Sequence, residues 1–120
     1  MIRTELTVRL PNNAGALAGV CRLLADARVT VIAMSLDAAG QLRLVVDNHV
    51  LGAGVLREQR HQVTERDVLV LAAGNSPDAL AAPLRLVAAA GINLNYTYGA
   101  AGAVVLGVDD ALRASATAGI

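Results

Sequence analysis

Two short polar turns are the places where this sequence could hold a small ligand. Leu10-Pro11-Asn12-Asn13-Ala14-Gly15-Ala16-Leu17 and Gly74-Asn75-Ser76-Pro77-Asp78-Ala79-Leu80 each follow an apolar stretch and open into a helical pattern. The first-turn N–H groups of a helix have no partner within it and lie at the positive end of its dipole, so such a turn suits a carboxylate. Gly15 lets a ligand approach the backbone closely. Asn13 and Ser76 also have the residue types of helix N-caps, the purely structural role that the same turns would serve. In the second turn Asp78 would repel an arriving anion and instead stabilise the dipole of its own helix.

The other chemically capable residues assemble no catalytic or metal-binding set. Cys21 is the only cysteine, which excludes an internal disulfide and a cysteine-based zinc cluster. It lies among Leu17, Val20 and Leu24 and reads as a buried apolar residue. His49 and His61 have no partner at metal-ligand spacing. Asp109 and Asp110 are adjacent, so they cannot face each other on a helix, and Asp109 reads as the cap of a last helix. Ser35, Ser76 and Ser115 lack a Gly-x-Ser-x-Gly setting, and Gly52-Ala53-Gly54 lacks the preceding strand and third glycine of a dinucleotide fingerprint. Arg57, Arg60 and Arg66 form the only basic cluster, and Glu58 and Glu65 interrupt it. Tyr96 and Tyr98 share one face of a strand, either as a packing pair or along a pocket or dimer contact. These residues predict a protein that is not an enzyme and uses no metal or cofactor.

Composition narrows the partners. The 120 residues carry ten arginines against ten acids, for a net charge of zero, so no global field attracts nucleic acid or anionic membranes. The hydrophobic fraction is 55% without a single Phe or Trp, which demands an aliphatic core. With no leader-like start and no apolar run near the roughly 20 residues of a membrane span, a cytoplasmic protein is expected.

The elements that position the two turns are written twice. Leu17, Val20, Leu23, Leu24, Ala27, Val29 and Val31 recur as Leu80, Pro83, Leu86, Val87, Ala90, Ile92 and Leu94, always 63 positions later. The same offset carries Leu6 and Val8 onto Leu69 and Leu71, Asn12 onto Asn75, and the Gly40 to Val45 stretch onto Ala103 to Val108. Alternation from Glu5 to Leu10 predicts a strand, and the spacing from Gly15 a helix of about thirteen residues. A hairpin follows over Val29 to Leu36 and Gln41 to Asp47, then a helix over Asn48 to Arg60 and a strand over Gln62 to Glu65. The second copy runs as a strand from Asp67 to Ala73, a helix from Pro77 to Ala90, a hairpin from Ile92 to Val108 and a helix from Ala111 to about Thr117. The expected fold is therefore α+β, with two ferredoxin-like βαββαβ units in tandem over residues 1–66 and 67–120, the second lacking its last strand. Helices should cover one face of an antiparallel sheet, because only that face is apolar. No Gly or Pro separates the copies between Gln62 and Leu69, which predicts a rigid pair. The missing strand leaves an edge for another chain, so self-association as a homodimer is expected.

With these residues in place the chain resembles the ACT domain family of small-molecule-binding regulatory modules. Ala14-Gly15-Ala16-Leu17 is similar to the family's Pro-Gly-Ala-Leu turn, and Ala90-Gly91-Ile92-Asn93-Leu94 to its Ala-Gly-Ile-Asn-Ile; Ala27-Arg28-Val29-Thr30-Val31 is a looser version. The resemblance covers residues 4 to about 115 as a tandem pair, and it implies amino-acid binding at the seam between paired units. Carried over residue by residue, it implies Asn12 with Asn93 at one site, where N–H groups from Asn13, Ala14, Gly15, Ala16 and Leu17 hold a carboxylate. It implies Asn75 and Ser76 with Thr30 at a second, weaker one. The function so implied is that of a non-catalytic sensor of an amino acid; the alternative is a regulatory subunit that docks on a biosynthetic enzyme and has no ligand of its own.

Overall fold

The computed structural model describes residues 1–11, 13–72, 77–100 and 102–120. The chain divides into two compact units, Thr4–Arg66 and Met1–Arg3 with Asp67–Ile120, each with its own aliphatic core.

In the first unit, strand β1 (Ile2–Arg9) leads to helix α1 (Ala14–Asp26), hairpin β2 (Val31–Leu36) and β3 (Gln41–Val46), helix α2 (His49–Glu58) and the start of β4 (Val63–Ala72). The strand order is β2-β3-β1-β4. Antiparallel pairing sets Leu6 opposite Leu44 and Val8 opposite Leu42. Strand alternation then aims all four at one face, where Val20 and Leu24 of α1 and Ala53 and Leu56 of α2 close the core. Gly52 brings α2 down onto the sheet, since a Cβ there would lie 3.3 Å from Val46 and 3.5 Å from Leu6 and Val29. Between β2 and β3, Asp37 accepts hydrogen bonds from the Gln41 and Ala39 amides, both at 3.0 Å, and lies 3.6 Å from the Arg43 guanidinium. The Gln41 amide first, then the Ala39 amide and the Arg43 charge, hold its carboxyl below the usual carboxylate range against the opposing effect of desolvation. Gly40 in this turn has φ 83°, and a Cβ there would meet the Leu10 carbonyl oxygen at 2.4 Å.

The second unit continues β4 through α3 (Asp78–Ala89), β5 (Leu94–Ala100), β6 (Ala103–Val108) and α4 (Ala111–Ala118). Here the order is β1-β4-β6-β5, because the opening residues of β1 belong to this unit. Met1 and Val70 exchange backbone hydrogen bonds at 2.8 and 3.1 Å, and Ile2 packs on the second core. The place beside β4 where a fourth strand would lie is thus taken by the chain's own first residues, and the expected vacancy for another chain is absent there. The two strands expected over Gln62 to Glu65 and Asp67 to Ala73 are one, β4, since no turn residue interrupts it.

The repeat holds with one adjustment. Strand β2 maps onto β5 at an offset of 63, and both hairpins shift register at the matched places Val31/Ala33 and Leu94/Tyr96. Strand β3, however, maps onto β6 at 62, because Leu42, Leu44 and Val46 share the role of Val104, Leu106 and Val108 in the two cores. The lost residue lies in the turn: five residues separate the paired Leu36 and Leu42, whereas four separate Gly99 and Val104. Aligning Gly40 to Val45 with Ala103 to Val108 would turn every β6 side chain to the wrong face. The offset of 62 then persists through the helix caps. Asn48 accepts from the Leu51 amide at 3.1 Å and Asp110, in place of the expected Asp109, accepts from the Arg113 amide at 3.0 Å.

On the helix-free face of the second unit Tyr96 and Tyr98 stack, with ring centroids 6.2 Å apart and planes inclined by 15°. Tyr96 lies opposite Gly107, where a Cβ would come within 2.3 Å of its ring. In the first unit the same pair of positions holds Ala33 and Val45. Small and large side chains have exchanged strands.

Candidate functional site

Helix α1 begins as its sequence requires. Asn13 is extended (φ −149°, ψ 155°), and its Oδ1 accepts the Ala16 amide at 2.8 Å. Its carbonyl accepts the Leu17 amide at 3.4 Å, while its own N–H donates to Pro11 at 2.8 Å. Three of the five N–H groups expected to hold a carboxylate, those of Asn13, Ala16 and Leu17, are therefore occupied by the chain. Those of Ala14 and Gly15 have no acceptor among the described residues. Both residues are exposed, and no acidic side chain lies in the first turn. Among the described residues outside its own helix backbone, a Cβ on Gly15 would meet just the Asn13 Oδ1, at 3.4 Å, so the glycine keeps the approach to this pair of amides open. What remains is a two-donor cradle at a positive helix end, which can hold the two oxygens of one carboxylate.

The start of α3 differs. Pro77 occupies the cap position in αR conformation, makes no side-chain cap bond and brings no N–H, and Asp78 is the first helical residue. A carboxylate already stands where an anion would arrive. Asn12, Asn75 and Ser76 lie outside the described residues.

Thr30 and Asn93 open the β2 and β5 segments, and both are exposed. Each is pinned by an aspartate, Asp47 with no role expected from the sequence and Asp109 expected instead to cap the last helix. The Thr30 amide donates to Asp47 Oδ1 at 2.9 Å while the Asp47 amide donates to the Thr30 carbonyl at 3.0 Å. The Asp109 amide donates to the Asn93 carbonyl at 3.2 Å, and Asp109 Oδ1 accepts from the Asn95 side chain at 3.0 Å. The signal that could have found this pair is their recurrence at the offset of 62, visible only once the shortened turn is recognised. Thr30 and Asn13–Leu17 fall in one unit and Asn93 in the other.

Cys21 is half-buried, on the flank of α1 and outside its core stripe. With Ala18, Arg22 and Ala25 it lines a surface groove of about 340 Å³ that contains none of the proposed ligand residues. No cluster of three His, Cys, Asp or Glu side chains suited to a metal occurs among the described residues. Nor is any described helix long and apolar enough to cross a membrane.

The profile of the ACT domain pair matches residues 1–117. The chain belongs to that family. ACT domain pairs form a regulatory, amino-acid-binding family, and two tandem ferredoxin-like α+β units are the architecture described above. Solved structures with the same fold include protein BT0572 from Bacteroides thetaiotaomicron, at TM-score 0.82 and 23% identity over 98% of this chain and 86% of that one. They include the ligand-free regulatory subunit of aspartate kinase from Thermus thermophilus, at TM-score 0.70 and 14% identity over 98% and 91% of the two chains. The corresponding subunit from Thermus flavus has TM-score 0.64 and 16% identity, over 100% and 96%. A search of curated protein sequences finds no match.

Proposed function

We propose that this ACT domain pair is a non-catalytic, cytoplasmic regulatory protein that binds a free amino acid at the start of α1. One observation carries the reading: adjacent Ala14 and Gly15 amides without an acceptor among the described residues, at a helix end with no acidic side chain in its first turn. The ligand's α-carboxylate sits on these two amides. The Asn12 and Asn93 side chains, each offering donors and an acceptor, take its ammonium group or a polar side chain. The turn at Asn75 and Ser76 with Thr30 is the weaker site, because Asp78 repels a carboxylate there, so one ligand binds per chain at moderate concentration. Ligand binding shifts the population toward the conformation that binds it more tightly, and that preference is the regulatory output. The protein acts as a homodimer through a contact elsewhere than beside β4, where the chain's own first residues already pair. Similarity to the regulatory subunits of aspartate kinase favours an amino-acid-biosynthetic enzyme as its partner, and it also supports a second reading in which docking alone regulates that enzyme.

A thermal-shift screen with the twenty amino acids, followed by calorimetry on any hit, tests the first reading. A ligand at a hundred times its Kd raises stability by about 2.7 kcal/mol. Asn12→Ala and Asn93→Ala are each expected to weaken binding by about 1 to 3 kcal/mol, the range from an ordinary hydrogen bond to one made with a charged group. If no amino acid shifts the melting temperature at millimolar concentration, the docking reading replaces it. If a ligand binds but neither variant weakens it, the placement is refuted. Sedimentation equilibrium checks the dimer.

A further inference from the structure

No further inference is drawn: the strongest candidate, the exposed apolar patch formed by Val50 and Leu51 on the outer face of α2 and repeated at Leu112 on α4, is an unpartnered helix face, and nothing in the structure shows what covers it.

Discussion

Arg28→Gly is expected to leave this protein more stable than Arg28→Ala does, and the second unit supplies the internal control. Helices α1 and α3 end in the same C-terminal motif. The Arg28 amide donates to Ala25 at 3.0 Å and the Val29 amide to Leu24 at 2.9 Å; the Gly91 amide donates to Ala88 at 3.0 Å and the Ile92 amide to Val87 at 3.4 Å. Both motifs need a left-handed residue after the cap, and Arg28 has φ 61° where Gly91 has φ 69°. An L-residue in that conformation is destabilised by about 1 to 2 kcal/mol, of which a glycine forfeits about 0.4 to 1 through the freer unfolded chain. Arg28 makes no side-chain hydrogen bond or ion pair among the described residues, so its contribution is the favourable placement of a cation at a helix C-terminus, about 0.3 to 1 kcal/mol. Arg28→Ala loses the charge and keeps the strain, whereas Arg28→Gly loses both. The difference between the two variants isolates the backbone and should be about 1 kcal/mol in favour of glycine. A Cβ at Gly91 would meet none of the described residues within 4 Å, so Gly91→Ala should destabilise by a similar amount through conformation alone. Urea denaturation reads these differences: with a slope of about 2 kcal/mol per molar, 1 kcal/mol moves the midpoint by about 0.5 M. Equal midpoints for Arg28→Ala and Arg28→Gly would show that the left-handed backbone at Arg28 carries no strain.

Three further outcomes follow from the packing. Gly107→Ala drives a methyl group into the Tyr96 ring and should destabilise by about 1 to 3 kcal/mol. In a Tyr96→Ala background the same change should have little effect, and additive losses in that double-mutant cycle would show that the two positions do not share space. Pro83 lies inside α3, where it lacks the N–H that the helix needs, so Pro83→Ala should raise stability by up to about 3 kcal/mol in a chemical melt; a loss would mean that the ring's packing outweighs the missing bond. The Asp37 carboxyl titrates below its unfolded value, so its contribution is fully present above the unfolded carboxylate value and is lost as pH falls through the folded one. Asp37→Asn should therefore reduce stability at neutral pH and flatten the acid limb of a stability-against-pH curve, and an unchanged acid limb would exclude Asp37 as a contributor.

Much of the architecture was legible because periodicity reports which face is buried. The alternation of Leu6, Val8 and Leu10 and the helical spacing of Val20 and Leu24 name residues that the first core does bury. Their repetition at Leu69, Leu71 and Val87 marks the second core in the same way. Cys21 was misplaced because it lies one residue past Val20, at the margin of the stripe, where the spacing alone does not decide exposure. The cap at Asp110 and the slip to an offset of 62 were hidden by a turn shortened by one residue, which a sequence alignment moves freely but hydrogen-bond register does not.

The candidate site divides along the same line. Residue types at the α1 start already supplied a capping Asn13, a Gly15 without a side chain and no acid in the first turn. Which amides remain for a ligand is set by where Asn13 points its oxygen and carbonyl, a matter of backbone geometry that reduces five donors to two. Two βαββ-helix units, their aliphatic cores and the polar turns that open their first helices follow from local pattern and burial. That Met1–Arg3 take the place beside β4, and that Tyr96 lies over Gly107, is set in the folded chain. Both depend on pairings between residues distant in sequence, for which no local period leaves a trace.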